Sequence, residues 1–177
     1  MRAVLDANVL FPTILREILT DLAATGLYAP IWSARILDEW RHAAARLGPD
    51  QAAVAGAEIA LLSDRLPDAL TATTAQAAAD LPDTGDQHVL DTALSGRANL
   101  IVTANLRDFP RPIMARFDLR AIHPDAFLLE LHARAPHSVV AAVQAARDKA
   151  ARMGGDMTVP DMLKRSRLPR LAKAVKG

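Results

Sequence analysis

The chain of 177 residues contains no cysteine. That excludes disulfides, thiolate metal sites and a cysteine nucleophile. Its eight glycines are scattered, so neither a phosphate-cradling loop nor a dinucleotide-binding fingerprint is present. Serines are few and none stands as G-x-S-x-G. The five histidines (His42, His88, His123, His132, His137) show no zinc spacing, and no glutamate lies between two of them as in a zincin helix. No apolar run reaches the roughly 18 residues of a membrane span. The opening MRAVLDANVL sets an acidic residue inside a very short apolar stretch, unlike a secretory leader. The expectation is a cytoplasmic protein with no membrane partner.

What is present is ordinary globular composition, 51% apolar and 23% charged. The length suits about one domain with a small appendage. The net charge of +1 hides an asymmetry. From Arg147 onward nine Lys/Arg face three Asp, so the tail carries +6 and the remainder −5. Such a tail fits a polyanion, an acidic protein partner, or simply a solvated helix face.

Apolar strand patterns at Val4-Leu5, Leu27–Ile31, Leu100–Thr103 and Leu119–Ile122 alternate with helical ones. Helices are expected from Pro12 to Gly26, from an N-capping Ser33 towards Gly48, and over about 51–66, where Pro67 stops the third. Others start near Asp86 and end at Gly96, start at Pro124, and run from Pro136 to Gly154. Thr158 and Asp161 make a capping-box-like start for a last short helix. Residues 71–79 read as irregular structure or a short strand. The alternation predicts an α/β fold, a parallel sheet flanked by helices. A boundary near Pro136 separates residues 1–135 from a basic helical extension, 136–177, too short to bury its own core.

Carboxylates recur at strand ends and helix starts: Asp6 in VLDANV, Glu39 in ILDEW, Asp86 in TGDQHVL, and Asn105 with Asp108 in TANLRDF. Asp6 follows a strand, at the sheet edge where open α/β sheets bind ligands, and it could equally cap the next helix. Asn8 serves either reading. Asp86 suits a helix start, and Asn105 suits a turn. Asp83 reads as turn chemistry beside Pro82. Asp91 sits about 140° round the helix from Asp86 and reads as peripheral. His88 reads as a helix-surface residue. Thr103 either positions a ligand or packs. With only oxygen and imidazole donors available and no zinc spacing, a metal here would be Mg²⁺ or Mn²⁺.

Taken in order, LDAN after a strand, Glu39 inside a helix, DQHVL opening a helix and IVTAN-LRDF after a strand resemble a PIN-domain nuclease over Met1–Arg134. LIVTANLRDFP and HPDAFLLEL resemble the VapC-type toxins of bacterial toxin–antitoxin pairs. Residues 136–177 are similar to a helical extension in one subgroup of them. The resemblance implies a three-layer α/β/α, PIN-like fold with four or five parallel strands, and a Mg²⁺- or Mn²⁺-dependent endoribonuclease. It implies an RNA substrate, a cognate antitoxin and a homodimer. Asp6, Glu39 and Asp86 match the family's acidic positions, and Asn8 and Thr103 its accessory ones. Asn105 stands where the family has a fourth acid, and Asp108 is the candidate replacement. Asp6 and Asp86 would hold the principal metal, Glu39 its water, and Asn105 or Asp108 the rest of the shell. Two other readings are an aspartyl-phosphate hydrolase with Asp6 as nucleophile and a non-catalytic protein on the same fold.

Overall fold

A computed structural model describes residues 1–176. In chain order the elements are β1 (Arg2–Leu5), α1 (Ala7–Leu10), α2 (Thr13–Ala24), β2 (Ala29–Ile31), α3 (Ala34–Ala45), α4 (Pro49–Arg65) and α5 (Gln87–Ser95). They continue with β3 (Leu100–Val102), α6 (Arg111–Ala115), β4 (Arg120–Ile122), α7 (Pro124–Arg134), α8 (Pro136–Arg152), α9 (Val159–Arg165) and α10 (Pro169–Ala174). The described residues form two compact units, residues 1–11 with 28–122, and residues 12–27 with 123–176.

The first unit holds a four-stranded sheet in the order β2-β1-β3-β4, every pair parallel. The expected α/β fold is therefore the observed one. Ala3, Val4, Leu5, Ile101 and Val102 have no exposed surface, which is why β1 and β3 read as unbroken apolar runs. From β1 the chain pairs first on one side (β2) and then on the other (β3). That reversal is a topological switch point, and ligands of open α/β sheets bind at the carboxyl ends of the strands flanking it.

Helix α3 begins as expected at Ser33, whose hydroxyl accepts from the Ile36 amide at 3.3 Å. Gly96 ends α5 for a steric reason: a Cβ there would lie 2.8 Å from Ile31 Cδ1, inside contact distance. Residues 71–82 are largely irregular, and α5 side chains satisfy much of their backbone. Ser95 Oγ accepts from the Thr74 and Ala75 amides at 3.0 and 2.9 Å, and Asp91 accepts from the Ala77 amide at 2.8 Å. Asp91 thus pins this segment, which explains a carboxylate on a buried helix.

The second unit is helical. Gly26, at φ +77°, closes α2, a conformation that favours glycine. Lys149 on α8 pairs with Glu17 on α2 at 2.7 Å. Thr158 caps α9 through the Asp161 amide, as the sequence suggested. The extension buries Met162, Leu163, Leu168 and Leu171, with α8 and α10 packing on α7 and α10 also on α9. Short helices α1, α6 and α10 were not expected from the sequence. Each has six residues or fewer, too few for a 3.6-residue period to register. No helix among the described residues is long and apolar enough to cross a membrane.

Candidate active site

The register of β1 and β3 builds the centre of the site. Leu5 pairs with Val102, so Asp6 and Thr103 leave adjacent strand ends side by side. The Asp6 amide donates to the Val102 carbonyl at 3.1 Å. Thr103 Oγ1 donates to Asp6 Oδ2 at 2.7 Å, and Asn8 Nδ2 donates to the same oxygen at 2.5 Å. Asn8 Oδ1 accepts from the Ala104 amide at 2.9 Å, and Thr103 Oγ1 accepts from the Asn105 amide at 3.1 Å. Asp6 is 5% exposed. Burial raises its pKa above the usual carboxylate value, although the bonds from Thr103, the Ala7 and Asn8 amides and the Asn8 side chain work against the shift.

Around this centre stand three more carboxylates. Glu39 is presented by α3, and its pKa rises through burial and then through the charge of Asp6, with Arg35 and His42 opposing. Asp86 stands at the start of α5 but makes no side-chain capping bond. The capping explanation, natural for the sequence, therefore fails for Asp86. Asp83 caps instead, accepting from the Gly85 amide at 2.7 Å. Burial, then the charges of Asp6, Asp108 and Asp83, then a hydrogen bond with Asp108, push Asp86 up to about 7. Asp108 ends a short 3₁₀ turn, 106–108, and accepts a hydrogen bond from Asn105 Nδ2.

The structure thus brings Asp6, Glu39, Asp86 and Asp108 within electrostatic reach, in the pairs Asp6–Glu39, Asp6–Asp86 and Asp86–Asp108. Among the described residues no three acidic or histidine side chains already enclose a metal position. Oxygen donors at a spot of concentrated negative charge nonetheless suit a hard cation. Mg²⁺ keeps several waters and typically takes only one or two carboxylates, so a closed cage is not required.

His88 corrects the sequence reading. It is 6% exposed, not a surface residue, and its Nε2 lies 2.7 Å from Glu39 Oε1. The contact is poorly aligned for a hydrogen bond, and neither ring nitrogen has a well-directed partner. Burial and the nearby Arg35 lower its pKa to about 4, so the ring is neutral near pH 7. The available signal was α5 itself: residues 88–93 are all buried, so the helix has no free face there for His88 to occupy.

A family model described as the PIN domain matches residues 2–107, more than half of the chain. The chain belongs to the PIN-domain family. The matched stretch of the PIN domain contains Asp6, Asn8, Glu39, Asp86, Thr103 and Asn105, and Asp108 follows one residue beyond it. A protein of Mycobacterium tuberculosis named putative ribonuclease VapC50 is 47% identical over 45 residues. That alignment covers 25% of this chain and 27% of the relative's length. No solved structure matches the chain.

Proposed function

We propose that this protein is a Mg²⁺- or Mn²⁺-dependent endoribonuclease that hydrolyses RNA phosphodiester bonds, the toxin of a type II toxin–antitoxin pair. One observation carries the reading: four carboxylates from separate elements gather at the switch point of a PIN-domain sheet, where the charge of Asp6 raises the pKa of both Glu39 and Asp86 and that of Asp108 raises Asp86 further. Charges that repel in this way favour a cation between them. The name of the partial relative, a putative ribonuclease, supports RNA as substrate, and the likeness of LIVTANLRDFP and HPDAFLLEL to VapC-type toxins supports an antitoxin as partner.

In this reading Asp6 and Asp86 would hold the metal, Glu39 would hold or orient its water, and Asn105 or Asp108 would complete the shell. A divalent ion supplies, when bound, a more acidic water and charge neutralisation on the phosphate. Thr103 and Asn8 lock the Asp6 carboxylate in place, and neutral His88 stands against Glu39. The nuclease domain is residues 1–135 and the basic extension 136–177. The protein acts in the cytoplasm as a homodimer, with the extension contacting RNA phosphates or the antitoxin.

Cleavage of total RNA in Mn²⁺ tests the proposal. Asp6→Asn and Asp86→Ala should each lower the rate more than about 100-fold, a loss at least as large as that from disturbing a metal's outer shell. Intact cleavage by Asp6→Asn would overturn the assignment. Carboxylate-dependent Mn²⁺ binding without any cleavage would leave a non-catalytic PIN-domain protein.

A further inference from the structure

We propose that a cavity at the open edge of the sheet is a subsite for a nucleotide flanking the cleaved bond of single-stranded RNA, an inference that rests on the ribonuclease reading. The two edges of the sheet differ. Beyond β2, the segment at Leu70 closes the edge: the Trp32 amide donates to the Ala69 carbonyl at 2.9 Å, and the Thr71 amide to the Trp32 carbonyl at 2.8 Å. Beyond β4 no strand follows in the sheet among the described residues. There a cavity of about 630 Å³ opens between β4, α6 and the 3₁₀ turn. That volume is in the range that takes a small molecule or a single nucleotide.

Its walls are apolar, formed by buried Phe109, Met114 and Leu119 and by Leu106, which is 42% exposed. Arg111 and Arg120, both exposed, are its charged lining. Arg107 and Arg116 lie in the same stretch, so residues 106–122 carry four Arg against two Asp. An apolar wall with guanidinium groups at its edge is what a base and its phosphate require together: bases stack on apolar and guanidinium surfaces, and arginine takes phosphate through two hydrogen bonds. A second copy of this chain would bring arginines against arginines.

Position ties the cavity to the acidic site. One 3₁₀ turn carries both: Leu106 lines the cavity, and Asp108, two residues on, acts on Asp86 through its charge. A 3₁₀ turn rises only about 2 Å per residue. A strand with its scissile phosphate at the carboxylates can therefore set the neighbouring nucleotide in the cavity. The carboxylates repel phosphate without a cation, so the arginines supply the attraction that brings the strand in.

The test is fluorescence anisotropy of a short labelled single-stranded RNA with the full-length protein in EDTA, where cleavage does not intervene. Arg111→Gln with Arg120→Gln should weaken binding about tenfold. It should also make the slope of log affinity against log salt shallower by about 1.4. Ala115→Trp fills the cavity from an exposed position at unchanged charge, and it should weaken binding about tenfold with the slope unaltered. If Ala115→Trp binds like wild type, the arginines act as a diffuse charge and the subsite is refuted. A labelled poly-glutamate peptide that competes as well as RNA would overturn it in favour of a protein partner. Normal Mn²⁺-dependent cleavage alongside an inert Ala115→Trp sinks the subsite alone. RNA binding that responds to both sets of variants, with no cleavage, sinks the ribonuclease reading and leaves the cavity as a site for single-stranded RNA without a cleaved bond beside it.

Discussion

Thr103 donates a 2.7 Å hydrogen bond to Asp6 across the seam between β1 and β3, joining residues 97 positions apart. Both are buried, so neither can turn to water for a replacement partner. Thr103→Val, which keeps the shape and removes the hydroxyl, should cost about 1–3 kcal/mol in chemical denaturation, because it also strips an acceptor from the Asn105 amide. Thr103→Ser should restore most of it. The lost donor also removes an interaction favouring ionised Asp6, so Mn²⁺ affinity at neutral pH should fall. Equal stability of the Val and Ser variants would mean the bond contributes nothing.

The raised carboxylates give the metal-free protein a definite pH dependence. Asp86 moves from 3.8 to about 7, so between those values the folded protein holds a proton that the unfolded chain has released. Stability from this group is full below about pH 4 and is lost as pH rises through 7. Asp6 and Glu39 shift in the same direction. In EDTA, Asp86→Asn should therefore melt higher than wild type at pH 8, with the gap closing by pH 4. Mn²⁺ should raise the wild-type midpoint more at pH 8 than at pH 5, because proton and metal compete for the same oxygens. A pH-independent gap between the two proteins would count against the shift.

Local chemistry made much of this legible. Ser33, Gly26 and Thr158 cap or close helices where the sequence places them, because each acts on backbone within a few residues. The pairing of Asp6 with Thr103 follows from strand register, which the buried runs suggest but do not specify. His88 and Asp91 were misjudged or set aside for a shared reason. Helix α5 is covered all round, so polar groups that would mark a solvent face in an amphipathic helix here face a neighbouring element. Asp86 looked like a cap because helix starts favour acids, and only three-dimensional neighbours show that its charge is directed at Asp6 and Asp108.

Gly96 is fixed by its neighbour, not by backbone freedom. Its φ of −83° is open to any residue, but a Cβ would meet Ile31 at 2.8 and 2.9 Å. Ile31 has no exposed surface and pairs into β2. Gly96→Ala should therefore cost about 1–3 kcal/mol by overpacking. Ile31→Val removes the nearer atom, so the double variant should be more stable than the sum of the single losses. Strict additivity in the denaturation cycle would show that the crowding is relieved elsewhere.

In the helical unit the same logic applies to Asp125. It is 4% exposed, and two backbone amides from far along the chain reach it. Arg170 N and Leu171 N donate to its two oxygens at 3.0 and 2.9 Å. These amides belong to the first turn of α10, where backbone N–H groups lack helical partners. Asp125 therefore caps a helix that begins 44 residues later, and it ties the end of the chain to α7. Asp125→Ala should cost about 1–2 kcal/mol, at the upper end for a cap because the amides stay buried. Hydrogen exchange should quicken most at Arg170 and Leu171, while the amides of β1 and β3 keep their protection. If exchange rose uniformly instead, the residue would be holding the whole fold together, not capping one helix.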